Sequence, residues 1–530
     1  MDNDDGERRN AQCNGNPTSG IHHVTLITRR VQANVDFYVG FLGLRLVKRI
    51  GGFEDGEQLH LFYGDRLGSP GSLVTFLVWE DGSPGRVGTG QVSEIALAVP
   101  QSSIGEWMTR ALSQGVTVEG PVREFGEPVL RLKDPDGIIV KLVGADIASD
   151  SHRGHDAVAG GRLRAVTILT DKPEETMSFL ERFGYGGRRN EGAITRMFSD
   201  TDAVDVRDAS GYVPGIPGTG TVDHAAFRAA DVDAVKKAEA EFSRLNSSPT
   251  NFHDRKYFTS LYVREPGGTL FELATEGPGF TIDEQPERLG QTLFIPPGDS
   301  DRAEDLKVML PQFAMPGKPR MPRRELPFVH RLYVPEELDE STIVLLHGTG
   351  GSEADLMPVA HRIAPQATLL GLRGRSHEEG VVRWFRRLAM GFDQDDIKTE
   401  AEAFEAFVAG AISGYGLDRT RMTYLGYSNG ANFIAAVMGL RPNTVRRAIL
   451  LRPTPVLDAL PAVDLTGAKV LMLSGAHDPF GRNASVLQDW FRSCCAALDA
   501  HTFDAGHELV AMDTAFSREW LQQNREGSES

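Results

Sequence analysis

The sequence predicts a two-part protein whose first part is of the α+β class and whose second part is of the α/β class. Three observations predict this: a unit of about 60 to 70 residues recurs four times, an irregular segment follows, and apolar strands then alternate with helices. A chain of 530 residues with 40% hydrophobic residues is long and apolar enough for several cores.

The first part is predicted to consist of four βαβββ modules. Each module starts with a strand-like run that precedes a helix-like stretch, and a Pro-Gly or Pro-Asp-Gly turn comes before the last strand of three modules. The third copy matches poorly in its final strands. The four first strands are HVTLIT (23–28), EIALAV (94–99), AVTILT (165–170) and HAAFRA (224–229).

The second part shows a different pattern, in which buried-type strands such as TIVLLHG and MTYLGYS alternate with helical stretches. That alternation is typical of a mostly parallel sheet covered by helices on both faces. The predicted organisation is a flexible tail over 1–20, modules one and two over 21–146, modules three and four over 160–282, a linker over 283–325 and the α/β unit over 326–525.

Composition limits the partners and the compartment. The formal net charge of −17 argues against nucleic acid or an anionic membrane as the main partner. Three cysteines favour a reducing cytoplasm, the polar start resembles no signal peptide, and the sequence contains no apolar run near the length of a membrane span. We expect a cytoplasmic protein that acts on a small molecule, and the sequence leaves a homo-oligomer open.

Comparison of the four modules identifies candidate metal ligands. Two positions matter, one on the first strand and one on the last strand of each module. In module order they are occupied by His23, Glu94, Ala165 and His224, and by Thr75, Lys141, an unclear residue and Glu272. Modules one and four therefore supply two imidazoles and one carboxylate, the ligand set that non-haem iron(II) oxygenases use while leaving other positions open.

Two adjacent histidines, His22 and His23, lie on the first strand. Neighbouring side chains on a strand leave opposite faces, so the two rings cannot easily serve one ion together. His23 matches the register of His224 and is the predicted ligand. His22 either turns toward the site as an acid or base, or faces solvent.

The motifs GIHHVTLIT, DFYVGFLGLRLVKR, LHLFYGD, VDHAAF and SLYVREPGGTLFELATEGPGF resemble the hydroquinone-type ring-cleaving dioxygenases of the vicinal oxygen chelate superfamily, over about residues 20–300. The resemblance implies Fe(II), or alternatively Mn(II), at His23, His224 and Glu272, dioxygen as co-substrate and a para-dihydroxybenzene substrate. It also implies that Tyr262 lies near the bound substrate, that Thr25 and Tyr257 line the pocket, and that Arg255 faces the substrate oxygens. Asp223 departs from the pattern, because some relatives have a histidine there.

Three alternatives remain for the first part: a glyoxalase-like lyase or isomerase, an extradiol catechol dioxygenase, and a metal-free binding module. In the first two cases the second part would be an unrelated carboxylesterase. The glyoxalase type needs four protein ligands, whereas Thr75 and Lys141 stand where further carboxylates would be required.

The second part contains a candidate serine nucleophile. GYSNG (426–430) fits a nucleophile elbow with Ser428 between a strand and a helix, and an acid and a histidine follow in the expected order. Asp478 follows the strand KVLMLSG, and His507 lies on a later loop. Ser428 would attack a carbonyl, His507 would accept its proton and Asp478 would orient the imidazole. His477 and Asp504 are the nearest rivals.

Backbone amides are the expected oxyanion donors. HGTGG (347–351) offers the amide of Thr349, and Asn429 offers the amide after the nucleophile. The motifs LLHGTGG, RWFRR, YLGYSNGAN and GAHDPF resemble carboxylesterase and phospholipase-like α/β-hydrolases over about 330–525. This resemblance implies that Trp384 lies near the acyl pocket, although an aromatic residue of this kind also suits a core.

Together these interpretations predict a bifunctional enzyme. A metal-dependent dioxygenase would open a hydroquinone-type ring, and a serine hydrolase would act on an ester, lactone or acyl ring-fission product.

Overall fold

The computed structural model describes residues 19–145, 161–244, 251–319 and 324–525. For these residues the chain forms two compact units, Met1–Ser300 with Phe313–Lys318 and Asp301–Gln312 with Pro319–Ser530. Residues 1–18 of the predicted tail lie outside the described ranges. Within those ranges, no helix combines the length and the apolar character needed to cross a membrane.

The first unit consists of four consecutive βαβββ modules, which confirms the predicted fold class. The first helix continues into a π-helical turn over Asp36–Phe41. The modules run β1 (Ile21–Thr28), α1 (Val31–Val35), β2 (Arg45–Gly51), β3 (Leu59–Gly64), β4 (Leu73–Val78); β5 (Gln91–Pro100), α2 (Ile104–Ser113), β6 (Val118–Glu124), β7 (Glu127–Lys133), β8 (Ile139–Ala145); β9 (Leu163–Thr170), α3 (Pro173–Leu180), β10 (Gly186–Glu191), β11 (Ile194–Phe198), β12 (Ala203–Asp208); β13 (Val222–Ala229), α4 (Val232–Arg244), β14 (Asn251–Asp254), β15 (Thr259–Arg264) and β16 (Leu270–Thr275).

Modules pair across the chain rather than strictly in sequence. Modules four and one share a nine-stranded sheet of order β14-β15-β16-β13-β1-β4-β3-β2-β17, in which β17 is the short strand Leu293–Phe294. Modules three and two share an eight-stranded sheet of order β10-β11-β12-β9-β5-β8-β7-β6. The first strands of the paired modules meet antiparallel at the centre of each sheet. This arrangement brings the first and fourth modules together, as the proposed metal site requires.

The third module is complete, although its final strands were hard to recognise in the sequence. All six residues of β10 are exposed, so this edge strand carries no apolar alternation that a sequence pattern could detect. Its last strand, β12, pairs parallel with β9, as in the other modules.

The segment 283–325, predicted as a linker, is largely folded onto one unit or the other. Glu284 is buried in the first unit and accepts a hydrogen bond of 2.7 Å from Lys48 Nζ, while Leu289 packs into the apolar cluster of the same unit. Helix α5 (Ala303–Met309) belongs to the second unit, where Met309 joins the core. Residues 320–323 of this segment lie outside the described ranges.

The second unit is an α/β fold around a seven-stranded sheet of order β18-β20-β19-β21-β22-β23-β24, in which β18 is antiparallel and the other strands are parallel. Its interior strand β19 is buried at every residue, as expected for a sheet covered on both faces. The elements after α5 are β18 (His330–Tyr333), β19 (Thr342–Leu346), α6 (Met357–Ile363), β20 (Thr368–Leu372), α7 (Gln394–Tyr415), β21 (Met422–Tyr427), α8 (Asn429–Leu440), β22 (Arg447–Leu451), β23 (Lys469–Gly475), α9 (Ala484–Ser493), β24 (Ala497–Phe503) and α10 (Ala511–Arg525).

Candidate metal centre and candidate nucleophile site

Three ligand-type side chains converge on the nine-stranded sheet. His23, His224 and Glu272 project from the adjacent strands β1, β13 and β16, and one ligand atom of each lies within 4.8 Å of the others. Glu272 Oε2 is 3.2 Å from His23 Nε2 and 2.8 Å from His224 Nε2. All three residues are buried.

The contact between His224 Nε2 and Glu272 Oε2 does not have hydrogen-bond geometry, so both buried atoms lack a hydrogen-bond partner within the described structure. A buried polar atom without a hydrogen-bond partner destabilises the fold unless another group, such as a bound ion, interacts with it. A divalent cation would do so, and two imidazoles with one carboxylate are a suitable donor set for it. The residues present therefore fit a metal ion.

Neighbouring polar groups hold each candidate ligand in place. Asp223 Oδ2 lies 2.7 Å from His224 Nδ1, and Ser260 Oγ donates to Glu272 Oε1 over 2.5 Å. Such partners fix the orientation of ligating side chains and tune their basicity. Burial alone would lower the pKa of His224, but the carboxylates of Asp223 and Glu272 outweigh it and raise that pKa to about 9. Asp223, which departs from the family pattern, thus orients the candidate ligand His224.

His22 lies inside the protein and not in solvent. A β-bulge explains its position: Ile21 pairs with Phe227 and His23 with Ala226, so His22 is the extra residue on β1. Its Nδ1 lies 2.9 Å from His23 Nδ1. Burial, with a smaller contribution from His23, lowers the pKa of His22 to about 3, so this ring is neutral.

The strand register extends the comparison of modules to the third copy. In each module the residue two places after the first-strand position pairs with the last-strand position. The pairs are Thr25 with Thr75, Ala96 with Lys141, Thr167 with Asp205, and Ala226 with Glu272. Asp205 is therefore the residue that could not be identified from the sequence.

The eight-stranded sheet has an ammonium group at the place equivalent to the candidate metal site. The Nζ atom of the buried Lys141 lies 2.9 Å from Glu94 and 3.2 Å from both Glu124 and Thr167. Asp205 is 3.9 Å away. A covalently attached cation thus lies among the carboxylates of this sheet, which also pair with Arg131 and Arg196.

A cavity of about 430 Å³ opens beside the three ligand-type residues. Four residues predicted to contact substrate line it: Thr25, Arg255, Tyr257 and Tyr262. Arg255 is held by Glu54 at 3.0 Å. Burial and then the Glu272 carboxylate raise the pKa of Tyr262 well above its usual value, so its hydroxyl keeps its proton.

The cavity also contains His60, which the sequence analysis missed. His60 lies on β3, and the module comparison considered only first and last strands. Its Nε2 is 3.1 Å from Thr75 Oγ1, which is itself 2.8 Å from Thr25 Oγ1. The signal available in the sequence was a lone histidine in LHLFYGD.

In the second unit Ser428, His507 and Asp478 form a continuous chain of contacts. His507 Nε2 is 2.9 Å from Ser428 Oγ, and His507 Nδ1 is 2.9 Å from Asp478 Oδ2. Ser428 has φ 51° between β21 and α8, the sharp turn expected of a nucleophile elbow. The rivals His477 and Asp504 pair with each other at 2.7 Å and are largely exposed.

Arg452, another residue that the sequence analysis missed, holds the loop that carries His507. Its guanidinium donates to the backbone oxygens of Gly506 at 3.0 Å and Glu508 at 2.9 Å, on both sides of the histidine. It also forms a buried bidentate pair with Asp513. Backbone acceptors carry no sequence signature, which is why the residue could not be found from a motif.

The remaining predicted residues have different environments. Thr349 is exposed in the turn after β19, and Asn429 is the first residue of α8. The Asn429 side chain accepts a hydrogen bond of 2.9 Å from the backbone N–H of Trp384. Trp384 is 0% exposed and stacks on Phe433, so its predicted role in substrate binding is wrong, and it is a core residue.

Comparisons with known proteins agree with this division of the chain. Residues 20–142 match the family model of the glyoxalase/bleomycin resistance protein/dioxygenase superfamily. A chlorohydroquinone/hydroquinone 1,2-dioxygenase from Sphingobium indicum is 35% identical over 52% of this chain and 91% of its own length. The chain belongs to the glyoxalase/bleomycin resistance protein/dioxygenase superfamily.

The superfamily assignment also has structural support. The crystal structure of a proposed dioxygenase from Bacillus subtilis is 32% identical, covers 57% of this chain and 99% of its own, and superimposes with a TM-score of 0.54.

A second relative resembles the other part of the chain. The proposed hydrolase MhqD of Bacillus subtilis is 32% identical over 35% of this chain and 94% of its own length. This superfamily member is therefore an enzyme with a ring-cleaving dioxygenase part and a hydrolase part.

Proposed function

We propose that the first unit is a metal-dependent dioxygenase that opens the ring of a para-dihydroxybenzene, and that the second unit is a serine hydrolase for an ester, lactone or acyl ring-fission product. The observation that carries the proposal is the convergence of His23, His224 and Glu272 beside a cavity of about 430 Å³. The likeness to a dioxygenase that acts on hydroquinones supports the substrate class.

The cavity suits a small aromatic ring. Phe53, Phe62 and Phe258 provide apolar wall, and a few polar groups converge on it, the combination typical of small-molecule sites. Fe(II), or alternatively Mn(II), held by the three ligand-type residues would supply the one-electron chemistry that joins dioxygen to a ring and that side chains lack.

The protein's own groups bind and orient the substrate in this proposal. Arg255 provides positive charge beside the Tyr262 ring, 5.7 Å from its centroid, and so favours an ionised phenol oxygen at this side of the cavity. The protonated hydroxyl of Tyr262 can donate a hydrogen bond to the same oxygen. Asp223 and His22 keep the imidazoles of His224 and His23 turned toward the common point.

The hydrolase step follows from the contacts of Ser428. His507 removes the proton of the attacking hydroxyl, and Asp478 stabilises the imidazolium that results. The backbone amides of Asn429 and Thr349 are the proposed donors to the oxyanion, and loss of one such donor typically costs about 10² to 10³ in rate. Two sites on one chain make sense if the hydrolase acts on the product of ring opening or on a related ester.

The test is anaerobic loading with Fe(II), followed by oxygen uptake on hydroquinone, methylhydroquinone and catechol, with product masses compared between the parent and Ser428→Ala. We expect oxygen uptake with the hydroquinones in both proteins, and an unhydrolysed product in the variant. Glu272→Gln should abolish uptake, whereas His501→Ala, which alters a half-buried histidine of the second unit paired with Asp499, should not.

Each negative result has a separate meaning. Bound iron with no oxygen uptake on any hydroquinone refutes the dioxygenase assignment. Failure to bind metal together with tight binding of an aromatic ligand favours a binding module. Identical products from the parent and Ser428→Ala remove the hydrolase from the reaction sequence.

A further inference from the structure

His60 occupies the cavity of the first unit in a fixed position. Its ring packs on Phe62 with 4.1 Å between centroids, and its Nε2 contacts Thr75 Oγ1 at 3.1 Å. Thr75 is in turn linked to Thr25 on β1. Stacking on one side and a threonine pair on the other therefore define where the imidazole lies.

His60 lines the cavity, and its second nitrogen, Nδ1, forms no hydrogen bond within the described residues. Within the described residues, the ring of His60 forms one hydrogen bond, between Nε2 and Thr75. Its Nδ1 is not a fully buried atom without a partner. Burial lowers the pKa of His60, which leaves a neutral ring with one N–H and one lone pair. A nitrogen is thus available to a molecule in the cavity.

The order of strands places His60 on one flank of the candidate metal centre. Across the sheet the strands run β15, β16, β13, β1, β4 and β3, with neighbours about 4.8 Å apart. Tyr262 lies on β15, on one side of the three ligand-type residues, and His60 lies on β3, on the other side. The cavity therefore has two polar ends with the metal centre between them.

We propose that the free nitrogen of His60 hydrogen-bonds the second hydroxyl of a para-dihydroxybenzene whose first oxygen faces His23, His224 and Glu272. This inference rests on the proposed dioxygenase function and adds the residue that recognises the para position. A para-diphenol can reach both groups at once because its oxygens lie at opposite ends of the ring. Catechol, with adjacent oxygens, cannot, and phenol has nothing for His60 to bind.

The test uses the metal-loaded protein and its variants His60→Phe and His60→Gln. Anaerobic calorimetry measures Kd for hydroquinone and for phenol, and oxygen uptake gives kcat and KM for hydroquinone. The parent should bind hydroquinone about three- to tenfold more tightly than phenol, the effect of one hydrogen bond. His60→Phe keeps a ring against Phe62 and should lose that preference through a higher KM, whereas His60→Gln should recover part of it. His501→Phe, a change of a half-buried histidine in the second unit, is the control.

Metal content, measured by chelator competition, separates recognition from structure. His60→Phe should hold metal as tightly as the parent, and a variant that loses metal would overturn the inference. An unchanged preference for hydroquinone in His60→Phe would also overturn it, while oxygen uptake by the parent would leave the dioxygenase proposal standing. A metal-loaded parent that neither binds nor oxidises hydroquinone would reject both.

Discussion

Asp223→Asn should weaken metal binding by the first unit. Asp223 Oδ2 lies 2.7 Å from His224 Nδ1, and the amide of asparagine can still accept from this nitrogen but brings no negative charge. Loss of such an outer partner typically costs about 10- to 100-fold in affinity, or about 1.4 to 2.7 kcal/mol. Since 29% of the Asp223 side chain is exposed, solvent screening should put the loss near the lower end, about tenfold.

The assay is anaerobic competition between the protein and a chelator for Fe(II), repeated with Mn(II). Asp208→Asn is the matched control, because Asp208 is an exposed carboxylate of the same unit whose partner is Ser210. An affinity of Asp223→Asn equal to that of the parent would refute the assigned role of the carboxylate. An equal loss in Asp208→Asn would attribute the effect to general charge.

Three further predictions concern other parts of the molecule. Metal affinity should rise by up to about tenfold per pH unit toward pH 9, because His224 must lose its proton to bind a metal; Mn(II) affinity that stays constant between pH 6.5 and 9 would contradict this. Lys141→Met should destabilise the first unit by up to about 3 kcal/mol in urea unfolding, because Glu94 and Glu124 lose their buried cation and keep the partly exposed Arg131. The exposed Lys133→Met should have little effect, and equal unfolding of both variants would contradict this prediction. Arg452→Lys should lower kcat for p-nitrophenyl acetate by about 10²-fold, because the loop that carries His507 would shift. An unchanged kcat would show that Arg452 is not needed to position this loop.

The parts of this molecule that could be predicted from the sequence were those with a repeated module or a recognisable turn motif. Four similar modules allowed His23 and His224 to be compared at equivalent positions, and the structure brings them together with Glu272. The edge strand β10 was not recognised in the sequence because all of its residues are exposed and it has no alternation of apolar and polar residues. Trp384 was misassigned because an aromatic residue suits a pocket and a core equally well.

Other features depend on contacts that no local pattern encodes. The inward position of His22 results from a bulge, which arises from pairing with a distant strand. His60 acquires its place only when β3 joins the sheet beside β4. Arg452 binds backbone oxygens, and every residue type offers these.

The ammonium group of Lys141 has a consequence for how the duplicated first unit responds to its surroundings. A chelator can remove a bound ion, but it cannot remove a charge carried by a side chain. Removal of a metal ion from the proposed site would therefore change the charge at one sheet of the first unit and leave the charge of Lys141 in the other sheet in place. The two sheets of the first unit are therefore expected to differ in their response to a chelator, because the cation of one sheet is a side chain.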